Sequence, residues 1–393
     1  MAETNLEADM DLTARRPLQG VNVLELQGMG PVPFCAMMLA DLGANIIRID
    51  KKGAPPAVVP DNPVVNRGRR SIIIDLKSDR GQTVFQRLIN TSHVLLEGYR
   101  PGVTEKLGLG PDICHALNPR LVYARLTGWG QTGRRAHQAG HDINYIAATG
   151  ALHAIGETGP VVPLNIVGDY AGGAALALAG IMAALLNVEK GAHGQIVDSA
   201  MAEGVSYLLS FQYGLLACNA WEDQRAANML DGSHPLYRTY ECLCGKHMAV
   251  GALEPRFANQ LFDRLEAHDL KALDLHDPHS LDVIRRRLEQ IFLLKDRDTW
   301  AGLLEAGDCC ATPVLSLLEA RDDPGLADRG TFRHRHGLHE PAPSPRYSFQ
   351  PADIAPAPRS GQHTRDILLE LGYEASMIDT LLHSGTVSGE LHE

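Results

Sequence analysis

Two short stretches carry residue types suited to proton transfer. In Gly140-His141-Asp142-Ile143-Asn144-Tyr145 an imidazole stands beside a carboxylate, and Val167-Gly168-Asp169-Tyr170 supplies a second acid. An ordinary histidine titrates near ~6.5 and an aspartate near ~3.9, so the imidazole is the better matched base and a carboxylate needs a raised pKa to share the work. Both stretches read as turn-to-helix junctions, where backbone amides can receive developing negative charge. This is apparatus for moving a proton next to a carbonyl. Asp142 sits at an expected N-cap, with its side chain binding an amide of the first turn. A cap and a turn are also the plain structural uses of Asp142 and of the Gly168-Asp169 pair.

The rest of the chain restricts what that apparatus serves. Of 393 residues, 45% are hydrophobic and 21% charged, the composition of a globular protein long enough for two domains. A formal net charge of −11 argues against nucleic acid as a partner, yet leaves room for a local basic pocket. Seven cysteines without paired spacing fit a reducing compartment, which points to the cytoplasm. Met1 to Arg16 lacks the apolar stretch of a signal peptide and reads as a loose arm, and the terminal Gly389-Glu390-Leu391-His392-Glu393 is no Ser-Lys-Leu address. The longest apolar run, Gly172 to Val188, falls short of the roughly 20 residues of a membrane span and reads as a buried helix, so no membrane partner is expected.

No metal is expected either. Cys242 and Cys244 are two apart and would face the same way, but no second ligand pair accompanies them. Cys309-Cys310 reads as core, and His334, His336 and His339 as a polar loop.

The elements that must hold the acid and base are α/β. Val21 to Leu26 reads as a buried strand, Pro33 to Leu42 as a helix and Ala44 to Asp50 as the next strand. Strands at Ser71 to Asp75, His93 to Glu97 and Leu121 to Leu126 follow, with a helix over Arg80 to Ile89. This alternation predicts a parallel, doubly wound sheet. Beyond Met201 a hairpin is expected from Thr239 to Leu243 and Lys246 to Gly251, then helices near Phe257 to Leu265, Leu281 to Leu293 and Arg297 to Ala306, a smaller α+β domain. The proline-rich Pro341 to Pro345 reads as a linker before a last helix, Thr364 to Leu371. Gly28-Met29-Gly30 follows a strand as a dinucleotide loop would, but Pro33 occupies the last glycine's place. A nicotinamide cofactor is not expected, and the glycines read as a turn packing a helix on the sheet.

Several motifs occur together in order: PVPFCAMMLADLGANIIRID, RGRRSIIIDLKS, LLEGYRPGVTEKLGLGP, GWGQTG, AGHDINY, NIVGDY and ANMLDG. In these, from about Pro17 to about Phe332, the chain resembles the family III CoA-transferase superfamily, and within it the α-methylacyl-CoA racemases. The resemblance implies an α/β fold with a Rossmann-like large domain (residues 1–225 and 336–393), a small α+β domain (226–335) inserted between, and two subunits interlocked as a homodimer.

It also implies an acyl-CoA substrate and no cofactor. Inverting a carbon α to a thioester removes a proton from one face and returns one to the other, through an enolate whose oxygen must be stabilised. By resemblance His141 and Asp169 are the two acid/bases, and the backbone amide of Asp142 could face the enolate oxygen. Glu254, in GALEPRF, matches a glutamate that supports the histidine from the partner subunit; on its own, Glu254 before Pro255 is an ordinary helix-start acid. CoA carries phosphates and an adenine, and the resemblance points to Arg48 and Arg100 as contacts. Arg67, Arg69 and Arg70 with Lys51 and Lys52 could add charge, or form a solvated basic edge. In GWGQTGRRAHQAG, Arg134 stands where relatives commonly have Pro, a freer loop that puts a cation close to the active-site segment. The other activity the superfamily implies is CoA transfer, with Asp169 as nucleophile forming a mixed anhydride.

Overall fold

The computed structural model describes residues 16–51, 62–347 and 354–389. The largest sheet contains β1 (Asn22–Leu26), β2 (Asn45–Asp50), β3 (Arg69–Ile74), β4 (Val94–Glu97), β5 (Val122–Thr127) and β6 (Ile196–Ala200). A three-stranded antiparallel sheet holds β7 (Arg238–Glu241), β8 (His247–Val250) and β9 (Ala311–Pro313). A hairpin pairs β10 (Phe332–Arg335) with β11 (Leu338–Pro341), and β12 (Val387–Ser388) adds an antiparallel edge to the large sheet beside β3.

The large sheet runs β12-β3-β2-β1-β4-β5-β6, and β1 to β6 are parallel. The chain therefore winds outward from β1 to β3, then returns to place β4 on the other side of β1. Loops leaving β1 and β4 diverge there and open a crevice at the carboxyl ends of the strands, where such sheets gather ligands.

Both faces of the sheet are covered, which is why its strands read as continuous apolar runs and not as alternating ones. Helix Pro31–Asp41 buries Val32, Leu39 and Ala40 on one face, with Val23, Ile46 and Leu96 from the strands. Helix Asp79–Thr91 buries Phe85 and Leu88 on the other, with Leu24, Ile49 and Leu95. The first helix begins with Pro31 at a position where its missing N–H costs nothing. The second is capped by Ser78, whose hydroxyl accepts the Gly81 N–H at 3.1 Å.

The chain divides into two compact units. The first takes the described residues up to Thr149, then Leu164–Leu208 and those from Arg333 onward; the second takes Gly150–Pro163 and Leu209–Phe332. Segments 150–163 and 209–225, kept with the large domain by the sequence reading, pack in the second unit. Hydrogen bonding within that unit explains this: Arg225 Nε donates to the His153 carbonyl at 2.8 Å, and Arg238 Nη2 reaches Glu157 at 3.4 Å.

Several expectations change. The helix anticipated over Gly172 to Val188 extends from Ile166 to Glu189, 24 residues, with the first ten in wide π geometry. It is long and apolar enough to cross a membrane by length and composition, and 39% of its most apolar window is buried. One face, with Ala174, Ala177, Ile181 and Ala184, lies in the core of the sheet unit. Cys242 is buried and Cys244 exposed, because the strand ends at Glu241 and the two fall in a turn. Of the pair read as core, Cys309 is buried but Cys310 is exposed. His334 and His339 belong to the β10–β11 hairpin with rings 4.6 Å apart, not to a loop. The arm expected over Met1 to Arg16, Arg16 apart, and Lys52 lie outside the described residues.

Candidate active site

Elements from the carboxyl ends of the parallel strands converge on the region of His141 and Asp169. After β5 the chain runs to His141, the N-cap of helix Asp142–Ala148, whose own N–H is taken by Asn144 Oδ1 at 3.0 Å. His141 is exposed. Asp142 is therefore the first helical residue and not the cap. Its buried side chain leaves its own helix, and Oδ2 accepts both the Gly168 and the Asp169 N–H at 2.7 Å. The expected cap thus serves the start of the π segment Ile166–Ala175. As a first-turn residue Asp142 keeps an N–H that the helix itself cannot pair, suited to a developing oxyanion.

Asp169 stands half-buried in the first turn of the π segment. Burial raises its carboxyl pKa above the ordinary value; the hydrogen bond from Asn165 Nδ2 at 3.2 Å and the field of His141 oppose the rise, and the Asp142 charge adds to it. A carboxyl held up in this way can carry a proton as well as accept one.

Gly30 explains the glycine turn after β1. Its φ is +66°, and a methyl there would stand 3.0 Å from Asp169 Oδ2, so the backbone turns and makes space for the acid at the same point. Gly168 is constrained likewise, since a methyl would lie 2.6 Å from Asp142 Oδ2. Tyr145, one turn into the His141 helix, donates to the Gly140 carbonyl at 2.6 Å and meets Trp129 edge-on at 4.9 Å. Burial raises the Tyr145 pKa first, Asp169 adds to this, and Arg100 opposes it.

The proposed CoA contacts divide. Arg100 is exposed in the loop after β4, a loop fixed from below by Glu97, whose Oε2 accepts the Tyr99 N–H at 2.6 Å. Lys51 follows β2 with its ammonium 4.5 Å from the Tyr99 ring centre. Arg48 is buried with Nε 2.7 Å from Asp50 Oδ1.

Arg69 does not fit the role assigned from sequence. It is buried and spends its guanidinium on Glu25 at 2.6 Å and on the carbonyls of Val65, Arg67 and Pro33. Such a residue fastens β3 to β1 and has no donor left for a phosphate. Arg67 is bidentate to Asp41 at 3.0 and 2.6 Å, and Arg70 reaches Glu370 at 2.6 Å, so this run is neither a ligand patch nor a free basic edge. Sequence reading missed Asn165, Tyr145 and the buried acids Glu25 and Glu97. A signal was present: Glu25 and Glu97 are lone acids near the ends of apolar strands.

Glu254 lies in the second unit as the N-cap of helix Pro255–Arg264. Its backbone carbonyl closes the first turn on Phe257 and Ala258, while its exposed carboxylate makes no cap bond.

Fold and site together define an open α/β protein in which an imidazole, His141, lies within electrostatic reach of a half-buried carboxylate, Asp169. The model of CoA-transferase family III matches residues 18–364, and the chain belongs to that family. It is 40% identical to the α-methylacyl-CoA racemase of Homo sapiens, over 95% of this chain and 100% of that one. It is 31% identical to the succinyl-CoA:glutarate CoA-transferase of Mus musculus, over 98% of this chain and 92% of that one. Among solved structures, Rv3272 from Mycobacterium tuberculosis is similar with a TM-score of 0.74 and 25% identity, covering 90% of this chain and 99% of that one.

Proposed function

We propose that this chain is a cofactor-independent racemase or epimerase that inverts the α-carbon of 2-methylacyl-CoA thioesters. The observation that carries the reading is the Asp142 clamp: one carboxylate oxygen, 2.7 Å from both the Gly168 and the Asp169 N–H, ties Asp169 to the helix that begins at His141. One member of the pair takes the α-proton, and the C–H electrons pass to the thioester oxygen as an enolate. The other member then gives a proton to the opposite face, so the pair ends with its protonation reversed and resets by exchange with water. The free first-turn amide of Asp142 is our candidate for the enolate oxygen. A relative named as such a racemase, 40% identical and matched over its whole length, supports this reading.

In this reading the sheet order β3-β2-β1-β4-β5-β6 supports a Rossmann-like large domain, with Arg100 and Lys51 at its strand ends as CoA contacts. A homodimer, with the partner subunit's Glu254 supporting His141, is supported by apolar surface. Tyr207 is 71% exposed and Phe211 55%, and helix Ser210–Ala217 has no buried residue.

The transferase reading has a named relative behind it, and in it an ionised Asp169 attacks the thioester carbonyl. The deciding experiment incubates purified protein with single enantiomers of 2-methylacyl-CoA in deuterium oxide. Exchange of the α-hydrogen without any carboxylic acid acceptor is expected, with His141→Ala and Asp169→Asn each losing the proton transfer on one face by about 10²–10⁴-fold. Absence of exchange with every thioester, together with transfer to a carboxylic acid, would assign the chain to CoA transfer instead.

A further inference from the structure

Beside the helix that begins at His141 lies an open cleft of about 640 Å³. Trp129, Arg134, Arg135, Gln138 and Asn144 line it over a floor of alanines. Its wall is joined to the candidate site twice. Asn144 holds the His141 N–H, and Trp129 packs edge-on against Tyr145, whose titration responds to Asp169.

The charge of this cleft is one-sided. It is lined by two arginines and no acid, on a chain whose formal net charge is −11. Arg67, Arg69 and Arg70 each have a carboxylate partner, whereas neither Arg134 nor Arg135 is paired with one among the described residues. Asp198, an acid that touches the loop, accepts the Gln131 N–H at 3.0 Å and does not line the cleft. Arg135 lies 5.0 Å from the Trp129 ring centre, a contact that steadies the guanidinium while leaving its N–H edge for an oxyanion. Trp129 Nε1 is buried and without a partner among the described residues, so the ring serves the cleft as a wall for Arg135 and not as a donor.

We propose that this cleft is an anion subsite, which holds a phosphate or carboxylate carried by the substrate at a distance from the reacting carbon. The proposal rests on the thioester reading above. Two sources share the required chemistry: the phosphates of CoA, or a carboxylate at the far end of the acyl chain. Planar guanidinium forks bind either in bidentate fashion, and an anchor on one side of the helix would fix the thioester over His141 and Asp169.

The test is equilibrium binding, followed by tryptophan emission and calorimetry, on the full chain and on Arg134→Ala/Arg135→Ala. Three probes are used: coenzyme A, a pantetheine thioester whose acyl chain ends in a carboxylate, and the same thioester ending in a methyl group. The double variant is expected to bind one of the two anionic probes at least about tenfold more weakly, with a shallower salt dependence, and the methyl-ended probe unchanged. Loss confined to coenzyme A assigns the phosphates, and loss confined to the carboxylated thioester assigns the acyl end. Arg134→Lys/Arg135→Lys should keep most of the salt dependence. The proposal is overturned if both anionic probes bind the alanine variant within about twofold of wild type, or if neither binds wild type. Hydrogen exchange is run in parallel: arginine-dependent binding without exchange counts against the racemase reading and leaves the subsite standing.

Discussion

At the scale of single residues, the site depends on two carboxylates put to different uses. Asp169 has its folded-state pKa raised, chiefly by burial, so the unfolded chain ionises first as pH rises. Its contribution to stability is therefore present below the unfolded carboxylate pKa and lost as pH rises through the folded one. Asp169→Asn should accordingly be more stable than wild type at neutral pH, by a margin that shrinks as pH falls through the carboxylate range, as urea unfolding at several pH values will show. The acid limb of kcat/KM in wild type should fall above the usual aspartate range for the same reason. Asp142 acts through hydrogen bonds instead. Asp142→Ala leaves the Gly168 and Asp169 N–H groups without their acceptor and should cost about 1–3 kcal/mol in denaturant unfolding. Its kcat should fall even where the protein remains folded, because Asp169 then loses its fixed position.

At the scale of elements, the loops after β1, β4 and β5 bring the site together, and each is held by a group inside the sheet. Gly30 adopts φ +66° with ψ −115° where the turn after β1 meets Asp169. Gly30→Ala should lose about 1–3 kcal/mol by thermal or denaturant unfolding and reduce kcat more than it changes KM, since the added methyl displaces the acid. Arg69 ties β3 to β1 through Glu25 and reaches the Pro33 carbonyl in the following helix. Arg69→Met should destabilise by about 3–5 kcal/mol because Glu25 remains buried without its cation. CoA affinity of the folded fraction, measured by calorimetry, should be unchanged, the opposite of what a phosphate-binding arginine would show. The strands β1 to β5, the helices after β1 and β3 and the β7–β8 hairpin were legible from apolar runs and turn residues, whereas the short helices after β4 were not. The π segment and β6 were not, because their glycines, alanines and mixed polarity carry no clear period and are shaped by what they pack against.

At the scale of the whole molecule, Tyr207 in the first unit and Phe211 in the second are large apolar side chains left exposed among the described residues. The protein should sediment as a dimer. Tyr207→Glu/Phe211→Glu should shift sedimentation toward monomer or aggregate and abolish exchange, a result that a self-sufficient monomer would not give. The sequence by itself determined the family and the parallel sheet, because ordered motifs and apolar runs are local properties, and through the resemblance it offered His141 and Asp169 as an acid/base pair. Only the tertiary structure decided how those residues are used. Asp142 caps the π segment and not its own helix, Arg69 serves the fold and not a ligand, and Arg134 and Arg135 stand beside the helix Asp142–Ala148 with no carboxylate partner among the described residues. The physical reason is that a charged side chain's role follows from its partner and its burial, and partners 27 or 44 residues away are chosen by packing. The opening pair of acid and base is thus a statement of chemistry in sequence and one of geometry only in the fold.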